Sequence, residues 1–130
     1  MAEKTNSKDV KNTNPWPSSE EEGELAVDLC ENKDELILQA TIGGVEINEL
    51  DISITNDMIT IRGERKRESE DEIEKVYYNE CFWGPFSRSL ILPQEINADK
   101  AKATIKNGLL TIHLPKLMKT KRKTLKIEEE

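Results

Sequence analysis

Between residues 101 and 116, in AKATIKNGLLTIHLPK, apolar and polar positions alternate on either side of an Asn-Gly pair. Alternation with a period of two marks a strand with one covered face, and Asn107-Gly108 tolerates the positive φ that a two-residue hairpin turn demands. The spacing predicts Ile105 opposite Leu110, Ala103 opposite Ile112 and Ala101 opposite Leu114 on one face, with Lys102, Thr104, Lys106, Thr111 and His113 on the other. Pro115 ends the second strand because it has no N–H to give to a ladder. Small alanines on the first strand face large aliphatics on the second, which leaves room for something else to fill.

The same period recurs along the chain. ELAVDLCE carries Leu25, Val27 and Leu29 in phase, and ELILQATI follows after the turn residues NKD, so the two predict a hairpin or meander. The paired glycines of IGGV, residues 42–45, mark a loop. ELDISITNDMITIRGE predicts a second hairpin about Asn56-Asp57, with Ile54 facing Ile59 and Ile52 facing Ile61. Residues 64–75 are almost wholly charged with mixed sign and predict a solvated loop. A short strand-like piece, VYYNE at 76–80, comes next, and GPFSRSLILP at 84–93 predicts another strand closed by Pro93. Many short strands without a long helix imply an all-β sandwich.

Composition narrows the setting. The chain has 130 residues and a net charge of −7, enough length for one domain with a two-layer core and the wrong sign for nucleic acid as its main partner. No apolar run approaches a membrane span, and the polar start MAEKTNSKDVKNTN lacks a signal-peptide core, so no membrane partner and a cytoplasmic location are expected. Residues 1–23 hold few apolar side chains and predict a disordered arm, followed by a domain over 24–115 and a tail over 116–130. Cys30 and Cys81 are too few for a disulfide framework and lack metal-ligand spacing, so two reduced thiols and no metal are expected. Carboxylates are plentiful but lie in charge runs, and no nucleophile elbow, P-loop or HExxH pattern is present, so catalytic residues and an enzyme role are not expected.

These residues also carry a family resemblance. AKATIKNGLL resembles the A-x-x-x-n-G-x-L signature of the α-crystallin domain at Ala103, Asn107, Gly108 and Leu110. GPFSRSLILP is similar to that domain's G-x-F-x-R-x-x-x-L-P strand, with Gly84, Phe86, Arg88, Leu92 and Pro93 in place. MITIRGERK resembles its L-x-I-x-G-x-R segment, and LKI at 125–127 its I-x-I tail motif. The motifs stand in the expected order over about residues 24–127, so the chain is identified as a member of the small heat-shock protein family.

The resemblance implies an immunoglobulin-like sandwich of two antiparallel sheets and an ATP-independent holdase without cofactors, which binds partly unfolded clients and keeps them from aggregating. It implies a homodimer made by exchanging a strand from the long loop, which assigns Val76, Tyr77, Tyr78, Asn79 and Glu80 to the dimer interface, together with an ion-pairing Arg88. It further implies that Leu125 and Ile127 of a flexible tail fill a neighbour's groove formed by Ile52, Ile54, Ala103 and Ile105 and so build a larger oligomer. The alanines then line a socket. Two departures stand out: Gly43-Gly44 replaces the family's usual Pro-Gly, and the arm is short and polar where a longer apolar one is common, which argues against large assemblies. A CS-domain adaptor scaffold without holdase activity is the alternative, and it would lack both the tail motif and the hairpin signature.

Three features are open to plainer readings. His113 sits on the polar face beside Lys102 and reads as surface. The basic run from Lys116 to Lys126 lacks interleaved aromatics and reads as a solvated tether rather than a nucleic-acid site. Phe82, Trp83 and Phe86 are not separable by sequence into core and interface.

Overall fold

The computed structural model describes residues 22–68, 70–118 and 124–130, so residues 1–21 of the expected arm and the middle of the basic run, 119–123, lie outside the described residues, while Gly23, expected in the arm, already belongs to the first strand. Eight strands follow in order: β1 (Gly23–Glu24), β2 (Asp28–Glu31), β3 (Glu35–Thr41), β4 (Leu50–Ile54), β5 (Met58–Arg65), β6 (Gly84–Ile91), β7 (Lys102–Lys106) and β8 (Leu109–Pro115). They form two four-stranded sheets, ordered β1-β6-β5-β4 and β2-β3-β8-β7. Among the described residues, only short 3₁₀ turns at Ile47–Glu49, Glu70–Glu72 and Ala98–Lys100 interrupt this all-β architecture.

Both hairpins keep the register that their alternation predicts. Ile105 faces Leu110 and Ala103 faces Ile112 across β7–β8, with Asn107 at φ 54° and Gly108 at φ 78° in the turn. Ile54 faces Ile59 and Ile52 faces Ile61 across β4–β5. Inward rows then run across each sheet. In one, Ala103, Ile112, Leu38 and Leu29 line up; in the other, Ile54, Ile59 and Leu90 do. Leu36, Leu38, Ile42, Ile59, Ile61, Ile96, Leu110, Ile112 and Leu114 are fully buried where the two sheets meet.

Four expectations shift. Ala101 does not pair with Leu114, because residues 98–100 form a 3₁₀ turn whose carbonyl of Ala98 takes the Ala101 N–H, and β7 starts one residue later. ELAVDLCE is not one strand. Gly23 and Glu24 pair with Phe86 and Ser87 in one sheet, Leu25 dives into the core, and the chain enters the other sheet at Asp28. The β1–β6 pair is parallel, the single such pairing among the described strands. Finally, β5 runs through Glu64 and Arg65, which pair with Pro85 and Gly84, so the charged loop starts two residues later than its composition suggests.

Candidate functional site

Four strands leave an open edge: β1 and β4 in one sheet, β2 and β7 in the other. An open edge presents unpaired N–H and C=O groups to any extended chain that can reach it. The edges of β4 and β7 lie on one flank. At one end, the Asn56 side chain after β4 accepts the Ala98 N–H just before β7, at 3.4 Å. At the other, the β3–β8 ladder ends with the Ile42 N–H donating to the Gly108 carbonyl at 2.7 Å, and the loop that leads on toward β4 packs there, Gly43 against Gly108 of the β7–β8 turn. Between these ties, the inward side chains Ile52, Ile54 and Ile105 are only half-buried, whereas their neighbours one strand further in, Ile61, Ile59 and Leu110, are covered. Ala103 is exposed, and its methyl fills little of the space opposite Ile112. The four residues expected to line a groove thus stand on two edge strands, Ile52 and Ile54 on β4 and Ala103 and Ile105 on β7, none of them fully covered.

The residues expected to fill it are elsewhere. Leu125 is 75% exposed and Ile127 93% exposed, with the acidic run Glu128–Glu130 after them. Aliphatics this open, spaced i, i+2 on an extended chain, point to one side and have no apolar partner among the described residues.

The loop between β5 and β6 has fixed roots and an open tip. Gly63 leaves room for the Phe86 ring, since a Cβ there would come within 2.6 Å of the ring and 2.8 Å of Leu50. The Arg65 guanidinium lies 5.5 Å from the centre of that ring, and its Nε donates to the Gly43 carbonyl at 2.7 Å. Arg67 stacks on Trp83 at 4.3 Å, closing the base of the loop one layer further out. The three aromatics thus separate: Phe86 is core, Phe82 packs on Gly23, and Trp83 staples the loop roots. Beyond them, Val76, Tyr77, Tyr78, Asn79 and Glu80 pair with no strand of their own chain among the described residues, and Tyr77 and Tyr78 are about four-fifths exposed, at 78% and 83%.

Arg88 is half-buried on β6. It stands opposite Ile61 in the inward row of β6, where two-residue β1 has already ended, and its Nη1 donates to the Leu25 carbonyl at 2.9 Å, with Nε 3.8 Å from Glu24. His113 is part-buried and has a partner that sequence distance hides, Glu35, whose carboxylate lies 2.9 Å from Nδ1. Lys116 is no part of a free tether. It bridges to Glu31 at 3.0 Å and donates to the Asn32 carbonyl, while its backbone extends the fold past Pro115. Glu49 accepts a hydrogen bond from Lys66 at 3.1 Å, which with its charge raises the ammonium above the ordinary lysine value. Cys30 and Cys81 are both free and exposed. Among the described residues no group of His, Cys, Asp and Glu is arranged to hold a metal, and no helix is long and apolar enough to cross a membrane.

The family model described as Hsp20/alpha crystallin family matches residues 28–128. The chain belongs to this family. Spore protein SP21 of Stigmatella aurantiaca is 33% identical over 78% of this chain, which spans 60% of that protein's length. Small heat shock protein C2 of Rickettsia felis is 35% identical over 89% of the chain and 75% of its own length. Among solved structures, heat shock protein 16.0 from Schizosaccharomyces pombe superposes with a TM-score of 0.69 at 30% identity, covering 83% of this chain and 100% of that one. Members of the Hsp20/alpha crystallin family are oligomeric, ATP-independent holdase chaperones of unfolded clients, not enzymes. Family membership explains why the open edges, not a catalytic cleft, are the informative surface.

Proposed function

We propose that this chain is an ATP-independent holdase of the cytoplasm, which covers apolar surface on partly unfolded proteins and keeps them from aggregating. The observation that carries this reading is the open flank of β4 and β7 in a chain of the Hsp20/alpha crystallin family, where Ile52, Ile54 and Ile105 present apolar surface beside free backbone groups. Such a flank binds extended segments by strand-like contacts with little demand on their sequence, which suits a chaperone.

The working unit in this reading is a dimer made by exchange of residues 76–80. Val76, Tyr77, Tyr78, Asn79 and Glu80 stand on a loop with stapled roots and no ladder partner of their own among the described residues, and β2 is the receiving edge. That choice follows from what remains: β1 has two residues, and β4 and β7 belong to the other flank. Arg88 reaches the carbonyl of Leu25, on the link from β1 to β2, and in this reading takes an acidic partner from the incoming loop. Leu125 and Ile127 of a third chain fill the β4–β7 flank and link dimers. The solved small heat-shock protein from Xylella fastidiosa, 26% identical, is described as having a distinct high order structure. No metal, nucleotide, nucleic acid or membrane takes part.

Holdase action is tested by heating an aggregating client with the protein at near-stoichiometric ratio and following light scattering. Suppression that added ATP leaves unchanged is expected, because the work is coverage and not turnover. Unaltered scattering at severalfold molar excess over several clients overturns the reading.

A further inference from the structure

The two lips of the β4–β7 flank carry opposite charge. On the outward side of β7, Lys102 and Lys106 are exposed, and Lys100 stands exposed in the turn just before; across the flank, β4 presents Asp51 and Ser53. Three cations elsewhere in the domain are engaged, Lys66 by Glu49, Arg88 by Glu24 and Lys116 by Glu31. Among the described residues, no such partner faces Lys100, Lys102 or Lys106. The tail motif, in turn, runs straight into Glu128, Glu129 and Glu130, and with Leu125 and Ile127 turned inward, Lys126, Glu128 and Glu130 share the outward side.

We infer that the acidic end of the tail is part of the docking segment, and that Lys102 and Lys106, with Lys100, form a basic lip that recognises Glu128–Glu130 of another copy of this chain. The inference rests on the tail-in-flank reading above. Lengths agree: Lys102 and Lys106 are about 13 Å apart along an extended strand, and Leu125 to Glu130 spans about 17 Å, so the glutamates come beside a lysine whichever way the tail lies. Ionic reading of this kind adds selectivity more than affinity. It makes the flank prefer the chain's own tail to an uncharged apolar segment of a client, and it makes tail docking fall as ionic strength rises. A lysine-lined edge that merely deters strand pairing with other molecules would show neither property.

The test uses a fluorescently labelled peptide of residues 124–130 and, as receiver, the full-length protein carrying Leu125→Ala and Ile127→Ala, whose own tails no longer compete. Binding is read by anisotropy. Changing Glu128, Glu129 and Glu130 of the peptide to Gln, or Lys102 and Lys106 of the receiver to Glu, is expected to weaken binding roughly three- to tenfold, the range for a few exposed ion pairs. A peptide carrying Glu128→Lys, Glu129→Lys and Glu130→Lys should regain affinity for the Lys102→Glu, Lys106→Glu receiver and not for the unreversed one. Equal binding of the parent and Gln-substituted peptides, while the Leu125→Ala, Ile127→Ala peptide fails to bind, overturns the lip and keeps the tail reading. Absence of binding by every peptide overturns both. Circular dichroism of the receiver variants separates lost recognition from lost fold.

Discussion

Gly63 shows how much a single position decides. Its missing side chain lets the Phe86 ring and Leu50 close over the strand, and the same ring supports Arg65, which in turn holds the Gly43 carbonyl. Two motifs that are 23 residues apart by number are therefore one contact: the glycine of MITIRGERK is the seat for the phenylalanine of GPFSRSLILP. Gly63→Ala forces overpacking against a buried ring and is expected to cost about 1–3 kcal/mol, seen as a lower midpoint in denaturant unfolding with an unchanged slope. The partner side of the cluster was hidden in the sequence. Arg65 reaches back to Gly43, and this tie restrains the Gly43-Gly44 loop that lacks the usual proline. His113 and Glu35 meet in the same way, 78 residues apart by number and adjacent only because β3 and β8 pair.

At the scale of elements, residues 76–80 contrast with the hairpins. Each hairpin contains both of its strands and its turn within a few residues, so alternation alone fixes the register; Thr55 and Met58 even close the β4–β5 turn by a 2.9 Å backbone bond. VYYNE has β-branched and aromatic residues but no local partner, and its own chain provides none among the described residues. Tyr78→Pro removes one ladder donor at an exposed position, so the thermal melt of the sandwich is expected to stay close to the parent's while sedimentation shows loss of dimer. A dimer that persists in the Tyr78→Pro variant excludes these residues as the exchanged strand.

For the assembled molecule, the tail energetics set the character of the contacts. Covering Leu125 and Ile127 is worth about 1.5–3 kcal/mol each. Ordering the backbone that carries them costs about 1–2 kcal/mol per residue. In the proposed assembly, one tail in one flank is thus expected to be a weak and exchangeable contact, and several acting together are expected to hold firmly. Replacing Leu125 and Ile127 by Ala is expected to shrink any species larger than a dimer, measured by light scattering coupled to size-exclusion chromatography, while the fold survives because both residues lie outside the sandwich. A size distribution equal to that of a parent larger than a dimer, or an unfolded double mutant, contradicts the tail reading.

What the sequence determined by itself has local causes. Period-two alternation set the strands, Asn107-Gly108 set the turn and register of β7–β8, and the isoleucine pairs set that of β4–β5, because each of these is decided by neighbours a few residues away. The small side chain of Ala103 opposite Ile112 was legible for the same reason. Only the tertiary structure decided which strands are edges, since edge status depends on which sheet each strand joins and in what order. It alone sent ELAVDLCE across from one sheet to the other, turned Arg88 inward onto Leu25, and drew Lys116 out of the basic run into the fold. Those outcomes hang on contacts between residues distant in sequence, where no local pattern records the partner, and the exposed flank on which the function is read exists only once two separately specified hairpins are laid against each other.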